Sequence, residues 1–159
     1  MIPQNKPQRH IISASAIIPA RRERVYSLLA NYRDGHPRIL PKQFSNLTVE
    51  QGGMGAGTII RFQMKILGKT QTLRAAISEP EPGRVLVETV LDGKGAVTTF
   101  TINPGKAPAD SRVTISTELP VHGGVVGSLE KALSTLVLRS IYKKELESLA
   151  RVATGPFGA

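Results

Sequence analysis

The chain has no cysteine and no tryptophan. Lack of cysteine removes disulfides, thiol nucleophiles and thiolate metal sites from consideration. Aromatic residues make up only 4% of the 159 residues, too few for the stacked-ring platforms that hold single-stranded nucleic acid. No apolar run approaches the roughly 20 residues that cross a bilayer. Residues 1–9 are polar and hold two prolines, so they lack the apolar centre of a signal peptide. A cytoplasmic protein is the expectation. Acids are also scarce, 12 against 21 Lys and Arg, for a formal charge of +9 at pH 7. Such a balance favours anionic partners, but the bases are dispersed and the densest group is Arg21, Arg22 and Arg24. Dispersal argues for a solvated basic surface, with weak contact to anionic surfaces at most, over a dedicated nucleic-acid site.

What is present is a clear order of elements. The length suits one domain that buries roughly 70% of its unfolded surface. Residues 1–9 read as a disordered arm, 10–153 as a single domain and 154–159 as a flexible tail. His10 to Ile18 is rich in β-branched residues and reads as a strand. Pro19 stands where a first helical residue would, and Val25, Leu28, Leu29 and Tyr32 follow at helical spacing. Pro37 and Pro41 bracket a second, short helical turn. Six strands come next: Phe44–Gln51, Thr58–Leu67, Lys69–Ser78, Arg84–Leu91, Ala96–Asn103 and a last one around Val113–Leu119 that Pro120 ends. In the second of these Ile60, Phe62, Met64 and Ile66 alternate with Arg61, Gln63 and Lys65, the pattern of a half-buried antiparallel strand. Asp92-Gly93 signals a hairpin.

From about Val125 to Ala153 the period becomes helical. Val126, Leu129, Leu133, Leu136 and Val137 form one stripe, while Leu138, Tyr142, Leu146 and Leu149 form a second on nearly the opposite side. The helix is therefore expected to change its buried face near Arg139-Ser140: either it bends there, or its two halves contact different surfaces, the C-terminal half then being available to pair with a second copy of the chain. The fold class is α+β: seven strands in one curved antiparallel sheet, ordered strand, two short helices, six strands, helix, wrapped around the last helix.

Sequence motifs for chemistry are sparse. Gly53-x-Gly55-x-Gly57 is followed by a strand rather than a helix N-terminus, so it reads as a turn and not a phosphate loop. His10, His36 and His122 lack metal-ligand spacing, and neither a metal nor a cofactor is expected. Ser128, after Gly127, lacks the strand-to-helix context of a nucleophile elbow. Two carboxylates lie inside strands: Glu118 alternates away from the apolar set, and Glu88, on a strand apolar on both sides, has no assigned face. A carboxylate in an apolar pocket would serve as general acid or base. The polar stretch Tyr32-Arg33-Asp34-Gly35-His36-Pro37-Arg38 reads first as turn chemistry with surface charge, and otherwise as a site in which His36 titrates near neutral pH and Arg33 or Arg38 meets a ligand carboxylate.

Ile18-Pro19-Ala20, Val25 to Tyr32, Pro37 to Pro41, the Gly52–Thr58 turn leading to Arg61, and the final glycine-preceded helix together resemble the START-like superfamily. That group includes polyketide cyclase/dehydrase and lipid-transport proteins and shares the helix-grip fold of the birch-pollen allergen group. The resemblance spans nearly all of residues 10–153. It implies an apolar cavity between sheet and C-terminal helix, lined by Phe62, Met64, Leu73, Ile77, Phe100, Ile115, Leu129, Leu133 and Leu136. The expected function is binding of a small hydrophobic or amphipathic ligand, its head oriented by His36, Arg38 and Glu88. The alternatives are a cyclase or dehydratase that shuttles protons with Tyr32, His36 or Glu88, and a basic module that contacts protein or RNA.

Overall fold

Alternation of apolar and polar residues builds the sheet of this protein, a computed structural model describing residues 8–92, 95–121 and 124–156. Among the described residues there are seven strands: β1 (Gln8–Ile18), β2 (Phe44–Gln51), β3 (Ile59–Ile66), β4 (Lys69–Glu81), β5 (Val85–Val90), β6 (Val97–Pro104) and β7 (Ser111–Val121). They form one antiparallel sheet in the order β1-β7-β6-β5-β4-β3-β2. Helix α1 (Arg22–Ala30) and a one-turn 3-10 helix (His36–Arg38) follow β1, and helix α2 (Gly124–Thr154) follows β7. This is the expected helix-grip arrangement. The register pairs the first strand with the last, from Gln8↔Val121 to Ile18↔Ser111. That pairing leaves β1 and β2 as the edges.

One face of the sheet carries the core. On β7, Ser111, Val113, Ile115 and Thr117 are buried while the residues between them are not. Glu118 lies on the outer face, where Arg9 pairs with it at 3.2 Å. The core joins these side chains to Val25 and Leu29 of α1 and to Leu138, Ile141, Leu146 and Leu149 of α2.

Several boundaries differ from the sequence expectation, each for a local reason. Residues 1–7 of the expected arm lie outside the described residues, whereas Gln8 and Arg9 are paired in β1. Likewise Phe157–Ala159 of the expected tail lie outside them, and Thr154 is the last residue of α2. Helix α1 starts at Arg22 rather than Pro19, because Arg21 is extended. Strand β4 runs on to Glu81 through a register shift after Ser78. Pro120 does not end β7 but pairs with Arg9. β6 pairing stops at Glu118, so Pro120 sits where β7 has one neighbour and a missing N–H is tolerated. The Asp92-Gly93 turn falls partly outside the described residues, as does His122.

The larger correction concerns α2. Its buried face is the second stripe, Leu138, Ile141, Tyr142, Leu146, Leu149 and Ala153. Leu129 and Leu136 are 68% and 73% exposed. At about 100° per residue both lie about 180–200° from Leu138, on the far side of the helix. The helix keeps one face on the sheet, and the stripe expected to offer a dimer contact in the C-terminal half is core. The basic group near α1 is also partly structural. Arg24 donates to the carbonyls of Ala153 (2.7 Å) and Val152 (3.3 Å), satisfying free acceptors at the end of α2. Among the described residues no helix is long and apolar enough to cross a membrane.

Candidate functional site

Because the sheet curls and α2 meets it with one face, space remains between them. It forms a cavity of about 280 Å³. Phe44, Ile60, Phe62, Met64, Leu73 and Phe100 line it from the sheet, Leu40 from the segment after the 3-10 helix, and Leu133, Val137 and Leu138 from α2. Its rim includes Leu67 and Leu133, which are 68% and 48% exposed. At the deep end the wall turns polar: His36, Glu88, Thr98, Thr117, Tyr142 and Glu145.

Local chain geometry delivers these side chains. The chain leaves α1 through a turn in which the Asn31 carbonyl accepts from the N–H groups of Gly35 (3.0 Å) and His36 (2.7 Å). Gly35 lies so close to Leu28 that an added Cβ would come within 2.5 Å of its carbonyl oxygen, so no larger residue fits that approach. The glycine-rich 52–57 turn straps the end of α1. Tyr32 N–H donates to Gly53 (2.9 Å), and Gly55 N–H donates to Ala30 (2.9 Å). Gly55 has φ +59°, and its Cβ would meet the Glu79 carboxylate, which also accepts from Tyr26 Oη at 2.5 Å. The motif that suggested a phosphate loop is thus a brace that holds Tyr32 inward.

Tyr32 is fully buried and its hydroxyl donates to Glu88 Oε1 at 2.6 Å. His36 stacks on Tyr32 with ring centroids 4.5 Å apart and meets the Phe100 ring edge-on at 5.7 Å. His36 Nδ1–H donates to the Leu29 carbonyl (2.8 Å), which leaves Nε2 facing Glu88 Oε1 at 3.5 Å. From α2, Tyr142 Oη bonds to Thr117, whose hydroxyl meets Thr98 at 2.7 Å. Glu145, one helical turn from Tyr142, is 3% exposed and its Oε1 has no hydrogen-bond partner.

Burial sets the protonation of this end. It pushes the Glu145 carboxyl up to about 8, with the Glu88 carboxylate adding like-charge repulsion. Desolvation also raises the Tyr142 phenol to about 12 and, with Glu88, the Tyr32 phenol well above its ordinary value. Near neutral pH this end can therefore keep a proton on Glu145 and accept hydrogen bonds on Glu88. Among the described residues no group of three potential metal ligands is assembled, and no lysine or arginine lines the cavity.

Of the residues singled out from sequence, His36, Phe62, Met64, Leu73, Glu88, Phe100 and Leu133 line the cavity. Tyr32 stands behind it and acts through Glu88. Ile77 and Ile115 are buried at 4% and 1% but belong to solid core with Val25, Leu29 and Leu149. Arg38 is exposed and does not line the cavity, because three residues per turn carry it outward when His36 faces in. Leu129 and Leu136 project to the other side of α2, as described above. Glu145 went unnoticed in the sequence, yet it left a signal: an acid three residues after Tyr142 and four before Leu149, inside an otherwise apolar stripe.

Comparisons agree with this architecture. An NMR structure of the KanY protein is 25% identical and superposes with a TM-score of 0.81, covering 93% of this chain and 99% of that one. A START superfamily protein from Mycobacterium smegmatis gives a TM-score of 0.74 at 18% identity, over 91% and 99% of the two chains. The Zhui aromatase/cyclase from Streptomyces sp. R1128 gives 0.73 at 14% identity, over 92% and 94%. No curated protein matches the sequence. Residues 9–154 match the family described as polyketide cyclase/dehydrase and lipid transport, and the chain belongs to that family, with the helix-grip fold of START-like proteins.

Proposed function

We propose that the protein binds a small apolar or amphipathic molecule in the cavity, with the apolar body against the phenylalanines and the polar head at the deep end. The observation that carries this reading is a roughly 280 Å³ space, walled by leucine, isoleucine and phenylalanine, that the chain's own side chains leave open. Burying about 300 Å² of ligand hydrocarbon would contribute roughly 7 kcal/mol before the costs of association. The exposed Leu67 and Leu133 mark where such a ligand enters. Titration with the apolar fluorophore N-phenyl-1-naphthylamine tests the reading. Saturable enhancement at one probe per chain is expected, together with a ligand-sized mass in native mass spectrometry of the purified protein. A linear, non-saturating response and an empty chain in the mass spectrum would contradict it.

A second reading is favoured by one specific feature. Tyr32, His36, Glu88 and Glu145 converge on one buried spot, and a proton held at about 8 on Glu145 can be given to a ligand oxygen and taken back. The aromatase/cyclase among the structural neighbours is consistent with an enzyme of this kind acting on a polyketide-like substrate. Turnover that disappears in Glu145→Gln while ligand affinity persists would separate catalysis from binding.

A further inference from the structure

In a chain of charge +9, the described residues that line the cavity include no lysine or arginine and two glutamates. The basic residues lie elsewhere: Arg61 and Arg74 on the outer sheet with Glu50, Arg84 with Glu81, Arg9 with Glu118. Inside, the one positively chargeable side chain among the described residues that lines the space is His36, whose Nδ1 is already committed to Leu29. Glu88 Oε1 already accepts from the Tyr32 hydroxyl and faces the His36 ring at 3.5 Å. Glu145 Oε1 has no hydrogen-bond partner, although the residue is 3% exposed and faces the cavity. A buried acceptor with no partner costs about 1–3 kcal/mol, and more when the group is charged. Whatever relieves that cost must donate hydrogen bonds, and a positive charge relieves the repulsion between the two carboxylates as well.

We propose that the deep end of the cavity is a subsite for a cationic donor head, a primary or secondary ammonium carried on an apolar body, held by Glu145 with support from Glu88. The inference rests on the ligand-binding reading above and adds the class of head group. It is opposite in sign to the carboxylate-headed ligand that Arg33 or Arg38 would have suited. Arg38 lies outside the cavity, and Arg33 is exposed, its guanidinium on the Gly52 carbonyl at 2.7 Å. A fatty carboxylate would meet the Glu88 carboxylate with no lysine or arginine among the described lining residues to offset it.

Proton balance gives the subsite a signature. Glu145 shares its surroundings with Glu88 on β5, His36 on the 3-10 turn, Tyr32 before it and Tyr142 on its own helix. Burial holds its proton to about 8. Docking an ammonium replaces that proton with an ion pair, so the proton leaves to solvent. The affinity for an ammonium therefore rises between pH 6 and 9, whereas that for a neutral head does not.

Calorimetric titration of the full-length protein with decylamine, decanol and decanoate at pH 8.5 tests the proposal. The expected order is decylamine tightest, by about tenfold or more over decanol, with decanoate weakest. At pH 7, where Glu145 still holds its proton, decylamine binding should release close to one proton, visible as a heat that depends on the buffer's ionisation enthalpy. Glu145→Gln should bring decylamine to within about threefold of decanol. Should that variant not fold, the three-ligand comparison on the native chain decides alone. Equal affinities for all three, or decanoate the tightest, overturn the cationic subsite and leave the ligand-binding reading standing. No binding by any of them overturns both.

Discussion

Two glutamates in this molecule have been driven in opposite directions, and the contrast separates scaffold from site. Glu50, on the outer face of the sheet, lies between Arg61 and Arg74, which face each other across β3 and β4. Arg61 Nε and Arg74 Nη2 each donate to it at 2.8 Å, holding its carboxyl down at about 2. It relieves a cross-strand pair of like charges, a role that ends at the surface. Glu145 has no arginine, a like charge for a neighbour and an unmatched oxygen, and burial raises it to about 8. An acid placed against all of these penalties is retained at a cost in stability, and in this fold it is placed in the wall of the apolar cavity. Strain of that kind marks function more often than packing.

The largest break in the contrast comes from pH. Glu145 binds its proton more tightly when folded, so its contribution is present in full below the unfolded value of 4.5 and is lost as pH rises through about 8. Thermal melts should show stability declining from pH 5 to pH 9, and Glu145→Gln should flatten the decline, melting roughly 5–10 °C above the native chain at pH 9. Next in size, Leu138→Ala removes a buried side chain and should cost about 2–3 kcal/mol in urea unfolding. The matched change Leu136→Ala, on the exposed side of the same helix, should stay within about 0.5 kcal/mol. A similar loss in both would mean that α2 does not sit on the sheet by the stripe described here.

Tyr32→Phe is smaller but sharper. It deletes the hydroxyl that donates to Glu88 at 2.6 Å and should cost about 1–2 kcal/mol. Smallest is Glu50→Gln. Its folded carboxyl is depressed, so its contribution is present above pH 4.5 and lost only as pH falls through about 2. Melting of that variant should drop slightly near neutral pH and recover in about 1 M salt, which screens the exposed arginines.

The fold was largely legible before the coordinates, because alternation and glycine-rich turns mark the strands directly and the last helix is too long for any other role. Strand parity likewise puts Phe62 and Met64 on one face of β3, but that they, Leu73 and Phe100 wall a cavity is implied by the family resemblance alone. Helix faces were harder. Two apolar stripes on α2 carry nearly equal hydrophobicity, and nothing local says which one meets the sheet, so Leu129 and Leu136 were assigned inward while the Leu138–Leu149 stripe is the one buried. The same ambiguity hid Glu145, which lies on the second stripe, whose contact surface the sequence leaves open. Tyr32 and His36 were readable as residue types suited to a site, but their inward direction depends on the 52–57 brace, a long-range contact that periodicity does not report.

The proton-transfer reading and the proton release expected at the deep end both depend on Glu145 keeping its proton near neutral pH, and that can be observed without any ligand. Carbon-13 NMR of protein labelled at the glutamate side-chain carboxyls, titrated from pH 3 to pH 10, follows each acid separately. The account predicts one resonance with a midpoint near 8 that is missing in Glu145→Gln, alongside one still ionised at pH 3 that is missing in Glu50→Gln. A spectrum in which every glutamate has finished titrating by about pH 5 would contradict it.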